Sequence, residues 1–318
     1  MGPCATKTWW KEPNSESSWR LSKTALYLGL VLGLLSCPTI SSLPAKRRIA
    51  DAFVAEKFEK FGNDTFGYVK PGQYLLRGHM ILRELYKLYG NAIQDKELLI
   101  ADWGSNYGWF SSMLAYSFPK SHVLSFEGDV MVARSKGSAL PFHKQYLKTR
   151  DIKNNQICVT LFSRKTFRAL KDLNVIFDVQ LVLSVMHWNV MWPEHNGTVA
   201  SYTENICTWV SASRVTLIEW VTAQHCDKYG TCNRQEGIKI PKLSAVLSCC
   251  GFNYDFRRVP RPALNIDMRL RDMKRENRQL YFVQLKDQNP ADFTTSVASL
   301  RKRQVRDRIG CSESHSTR

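Results

Sequence analysis

Leu99-Ile100-Ala101-Asp102-Trp103-Gly104-Ser105-Asn106-Tyr107-Gly108-Trp109-Phe110-Ser111 is the stretch on which the fold turns. With Leu98 it opens on a short apolar run of the kind a buried parallel strand shows. A turn with glycines at 104 and 108 follows, and residues 109–118 then read as a helix that Pro119 breaks. In open α/β sheets a strand, turn and helix in this order place a ligand at the carboxyl end of the strand. Gly104 and Gly108 let backbone approach that ligand closely, with Ser105 and Asn106 between them. The helix from Trp109 points free amides at it. Asp102 is placed to accept a charge-assisted hydrogen bond from the ammonium group of an amino-acid ligand. The spacing is not GxGxxG, and a carboxylate at the strand end argues against phosphate.

Outward from this stretch the pattern repeats. Residues 123–126 read as the next strand, and Glu127 ends it about twenty residues after Gly108, where a carboxylate accepts hydrogen bonds from ribose hydroxyls. A basic, helical stretch follows Pro44, and residues 74–89 keep a helical apolar period up to Gly90. Strands are expected at 157–161, 177–185 and 215–221, and helices at 165–173, 202–210 and 241–250. Such alternation argues for an open α/β sheet with right-handed crossovers. Residues 252–259 and 279–285 are successive strands without a crossover helix, so they pair antiparallel at the sheet edge. The fold class expected is therefore α/β, Rossmann-like, mostly parallel, with an antiparallel strand pair at the C-terminal end.

At 318 residues and 44% hydrophobic composition the chain is far from the signature of disorder. No fixed-period repeat is present, which excludes solenoids and propellers. The formal net charge is +17. Basic residues cluster over residues 257–278, and again at Arg301, Lys302, Arg303, Arg306 and Arg308. A field of this sign draws anionic partners such as RNA or an acidic membrane surface. Nine cysteines show no zinc-ligand spacing, so no metal site is expected. Cys226 and Cys232 bracket a loop and could bridge in an oxidising compartment.

The block from Leu98 to Asp129 resembles the first two motifs of class I S-adenosylmethionine-dependent methyltransferases, and its wording is most similar to the FkbM-like group. Phe177-Asp178-Val179-Gln180-Leu181-Val182-Leu183-Ser184-Val185-Met186-His187-Trp188 resembles the fourth motif. The resemblance implies S-adenosylmethionine as cofactor. Asp102, Gly104, Ser105, Asn106 and Gly108 would form the turn around its methionine end. Glu127 would take the ribose, and Ser184, Val185 and His187 would line the reaction centre. Two departures stand out: no acidic adenine contact is evident at Leu161-Phe162-Ser163-Arg164, and bulky Trp103 stands where a small residue is usual. Leu183 to Trp188, with Trp192, Gly197 and Leu217-Ile218-Glu219-Trp220, is also similar to enzymes that methylate the 5′ phosphate of small RNAs.

His187 is the candidate general base, since its pKa range suits proton removal from a hydroxyl. Packing between Met186 and Trp188 is the alternative reading. Glu219, near the end of a strand, is the second catalytic candidate, or else binds the acceptor or caps a helix. The acceptor expected is a small molecule or glycan. RNA 5′-end methylation and a non-catalytic binding protein of the same fold are the alternatives.

Residues 25–37 (ALYLGLVLGLLSC) follow Arg20 and Lys23, the pattern of a secretory signal or signal anchor. Sequons at Asn63 and Asn196 suit a lumenal domain. The expected organisation is a signal or anchor over residues 1–44, a helical extension over 45–90, the methyltransferase domain over 91–290 and a disordered basic tail over 291–318. Location is expected in the secretory pathway, membrane-anchored or secreted, with the cytoplasm as alternative.

Overall fold

The computed structural model describes residues 45–61, 71–128, 139–160, 164–172, 176–183, 185, 199–221, 242–260, 278–286, 302 and 311. The segment 1–44, both sequons, Cys226 and Cys232 lie outside them. Among the described residues no helix is long and apolar enough to cross a membrane.

Among the described residues seven strands form one sheet: β1 (Leu99–Trp103), β2 (His122–Glu127), β3 (Asn155–Val159), β4 (Phe177–Val182), β5 (Ser213–Val221), β6 (Tyr254–Arg258) and β7 (Arg278–Leu285). Their order is β3-β2-β1-β4-β5-β7-β6. β1 pairs in parallel with β2 on one side and β4 on the other, while β7 runs antiparallel to both β5 and β6. This is the Rossmann-like methyltransferase sheet expected from the strand pattern. The chain leaves β1 toward β2 and returns through β4, so the switch point, where ligands bind in such sheets, lies at the carboxyl ends of β1 and β4.

The helices are α1 (Ala45–Phe61), α2 (Pro71–Tyr89), α3 (Trp109–Ser117), α4 (Leu140–Thr149), α5 (Arg164–Asp172), α6 (Val199–Ser211) and α7 (Leu243–Cys249). Helix α4 was not expected, because its sequence, LPFHKQYLKT, has few apolar positions to set a period. All five β1 residues are buried, as a strand covered on both faces requires. Alternate residues serve different cores: Ile100 joins one cluster, and Leu99, Ala101 and Trp103 the other.

The first cluster also holds Phe53 and Val54 of α1, Leu76, Met80, Ile81 and Leu85 of α2, and Trp109 and Met113 of α3. Helices α1 and α2 thus share a core with the sheet. Gly78 permits the close packing of α2 on α3, since a Cβ there would lie 2.7 Å from the Trp109 ring. Buried Glu84 of α2 meets Lys87 at 2.9 Å and Arg257 of β6 at 2.5 Å, and Arg257 also lies over the Phe282 ring. One arginine of the expected basic cluster is therefore used internally.

Disulfides Cys158–Cys311 and Cys207–Cys250 staple the second half of the chain. Cys311 falls in the stretch expected to be a disordered tail, yet it is buried and bridges antiparallel to Cys158 on edge strand β3. A crosslink spanning 153 residues restricts the unfolded chain strongly, by about 5 kcal/mol in the loop-entropy account.

Candidate functional site

The turn after β1 is held by the end of β2. The amides of Gly104 and Ser105 both donate to the carbonyl of Phe126, at 2.8 and 3.0 Å, and Gly108 N donates to Ser105 O at 2.8 Å. Gly104, Asn106 and Gly108 have φ of 71°, 52° and 75°. Three left-handed residues in five bend the chain sharply, and glycine carries two of them without penalty. Both glycines are also required by space. A Cβ on Gly104 would lie 2.2 Å from Cγ1 of Val185, and one on Gly108 would fall 2.0 Å from the His143 ring. The contact between Gly104 and Val185 brings the first and fourth motif blocks together.

Asp102 and Glu127 sit side by side on the face of the sheet that α3 covers. Asp102 is 2% exposed. Its carboxylate accepts hydrogen bonds from the Ser111 side chain and backbone, so it caps the first turn of α3, while Oδ2 has no partner. Burial pushes its pKa up to about 7, the Ser111 hydrogen bonds oppose the rise and the nearby Glu127 charge adds to it. Glu127 is also buried, and its Oε2 accepts from Asn106 N at 2.6 Å, bracing the turn. A carboxylate oxygen has two lone pairs, so this bond leaves acceptor capacity. Ser105 Oγ is buried without a partner.

Trp103 does not disturb the turn. Its ring lies on the opposite face, stacked on Phe126 at 3.9 Å, and Nε1 donates to Gln180 Oε1 at 3.0 Å. Gln180 passes its own amide hydrogens to Trp209 O and Thr216 Oγ1. The bulk at this position belongs to the second core.

Glu219 of β5 shares the face of Asp102 and Glu127 but is already engaged. Arg77 Nη1 of α2 lies 3.3 Å from both its oxygens, and the guanidinium rests over the rings of Tyr74 and Phe110. Ser184, His187, Trp188 and Trp192 lie outside the described residues, as do Leu161, Phe162 and Ser163 where an adenine contact was sought. Val185 is described and buried. Three residues that reading the sequence missed stand at the site: Arg77, Ser111 and His143. Only Ser111, a serine in the first turn of a helix, carried a local signal. The others act through contacts distant in sequence. Among the described residues no cluster could hold a metal ion.

Compared by sequence, the chain matches no protein-family profile and none of the curated proteins. Solved structures similar to it include WbdD, solved as a monomer, at 13% identity and TM-score 0.44 over 73% of this chain and 48% of that one. The chain thus spans about half the length of WbdD. An O-methyltransferase family protein from Burkholderia thailandensis is 10% identical, at TM-score 0.41, over 76% of this chain and 70% of that one. Precorrin-6y C5,15-methyltransferase from Geobacter metallireducens is 12% identical, at TM-score 0.39, over 72% of this chain and 96% of that one. The fold assignment rests on the strand order, not on these likenesses.

Proposed function

We propose that this protein is an S-adenosylmethionine-dependent methyltransferase that methylates oxygen of a small molecule or glycan. The observation that carries the reading is the turn itself: a buried carboxylate with an unpartnered oxygen and a second carboxylate beside it, on a glycine turn at the switch point. These groups fit the cofactor. Asp102 Oδ2 would hold its ammonium, the turn backbone would line its amino-acid end, and Glu127 would accept from the ribose hydroxyls. When bound, S-adenosylmethionine supplies a methyl group already activated on a sulfonium. The protein has then to align the acceptor and remove its proton. His187 is the proposed base, because Glu219 is held in an ion pair with Arg77 and suits positioning better than proton transfer.

The secretory reading draws support from the cysteines. All five among the described residues, Cys158, Cys207, Cys249, Cys250 and Cys311, are in disulfides, and such bonds persist in oxidising compartments. This favours a lumenal glycan or small molecule over RNA 5′-end methylation in the nucleus or cytosol, where thiols are kept reduced. Disulfide-linked peptides joining Cys158 to Cys311 in unreduced digests support it. Free thiols at both positions in the native protein count against it.

Calorimetric titration with S-adenosylmethionine and S-adenosylhomocysteine tests the central claim. Micromolar affinity is expected, with a loss of at least about 100-fold in Asp102→Ala and Glu127→Ala. A folded wild-type protein that binds neither ligand refutes it.

A further inference from the structure

We propose that His143 belongs to the cofactor turn and holds the carboxylate of the cofactor's amino-acid end. The inference rests on the cofactor reading above. His143 lies in the first turns of α4, where its amide donates to Ala139 O, and it is fully buried. A Cβ built on Gly108 would fall 2.0, 2.1 and 2.4 Å from Cδ2, Nε2 and Cε1 of the imidazole. The face of the ring, on its Cδ2–Nε2 side, is therefore laid on the Gly108 backbone, where α3 begins.

Neither nitrogen of this enclosed ring has a hydrogen-bond partner, and the same holds for Ser105 Oγ and Asp102 Oδ2. An apolar ring would fill the slot between α4 and the turn without leaving buried nitrogens unpaired, so an imidazole here is costly unless a ligand uses it. The groups divide by chemistry. Asp102 Oδ2 can only accept when ionised, whereas Ser105 Oγ–H and the imidazole N–H can donate. A ligand that offers a cationic donor and an anionic acceptor a few bonds apart satisfies all three, and an α-amino-acid group is such a ligand. The opening turn of α3 adds a favourable field for the anionic half. Burial holds the His143 pKa down near 3, so the ring is a neutral donor at ordinary pH.

Two ligands separate this role from packing: S-adenosylhomocysteine, and 5′-methylthioadenosine, which keeps the nucleoside and sulfur but lacks the amino-acid end. Each is titrated into wild type, His143→Phe, His143→Gln and Glu127→Gln, with thermal melts as the folding control. His143→Phe is expected to weaken S-adenosylhomocysteine about tenfold or more and 5′-methylthioadenosine less than about twofold. His143→Gln, which returns a donor near the Nε2 position, recovers most of that loss, and Glu127→Gln weakens both ligands. Unchanged S-adenosylhomocysteine affinity in a folded His143→Phe protein overturns the proposal while leaving the cofactor reading intact, as does an equal loss for both ligands. If wild type binds neither ligand, the cofactor reading falls and this proposal falls with it.

Discussion

Asp102 lies near the end of β1 and Glu219 near the end of β5, both buried and both on the face of the sheet covered by α2 and α3, yet their surroundings are opposite. Glu219 has a guanidinium against both oxygens. Among the described residues Asp102 is met by the Ser111 hydrogen bonds and by no cation, and it keeps one oxygen unpartnered. A buried charge that serves the fold is paired, because an unpaired one costs several kcal/mol. A buried carboxylate left half-satisfied at a switch point is better explained by a ligand that completes it. The contrast separates a paired acid from a half-satisfied one where position on the sheet alone does not, and the proposed function gives the second a ligand.

The sharpest way to break this contrast is Arg77→Ala, which strands Glu219. Urea unfolding should show a loss of about 3 to 5 kcal/mol. The double variant Arg77→Met with Glu219→Gln should regain most of it, because neither charge is then left buried alone. A single variant as stable as wild type would remove the structural role assigned to the pair.

Gly108→Ala attacks the other pole. The added methyl meets a left-handed φ and the His143 ring together, and a destabilisation of about 2 to 3 kcal/mol is expected. His143→Ala in the same chain should return the part due to overlap, leaving only the backbone cost. Additivity of the two changes in a denaturation cycle would show that the ring and the glycine do not touch.

The raised pKa of Asp102, about 7, predicts how binding responds to pH. An ammonium ligand needs the charged carboxylate, so affinity should rise about tenfold from pH 6 to pH 8 as Asp102 deprotonates. Asp102→Asn should bind weakly and show a flat profile. The same shift acts on stability. The folded pKa lies above the unfolded one, so ionisation of Asp102 erodes stability as pH rises from about 4 to about 7. Asp102→Asn should therefore be as stable as wild type at pH 8, or more stable by about 1 kcal/mol, while losing the ligand. A marked destabilisation would make Asp102 a structural acid like Glu219.

Much of this architecture was legible in local sequence. Leu98 to Ala101 announced a strand buried on both faces, glycines at 104 and 108 announced the turn, and the missing crossover before residue 279 announced the antiparallel edge. Each of these signals is carried by neighbours in the chain. Helix α4 was missed because its apolar residues are few and its packing on α3 supplies the stability that its sequence does not. The place of Cys311 was not legible in the sequence, because its partner, Cys158, lies 153 residues away.

By itself, then, the sequence determined the α/β class, the edge pair and the two strand-end carboxylates of the turn, because periodicity, turn chemistry and strand length are local properties. Only the tertiary structure decided which acids are paired. It put Arg77 of α2 on Glu219, turned Trp103 to the far face against Gln180, pressed His143 on Gly108 and joined Cys158 to Cys311. These are contacts between segments far apart in the chain. Their energies depend on burial and distance, which come into being only when the sheet and its helices close around one another.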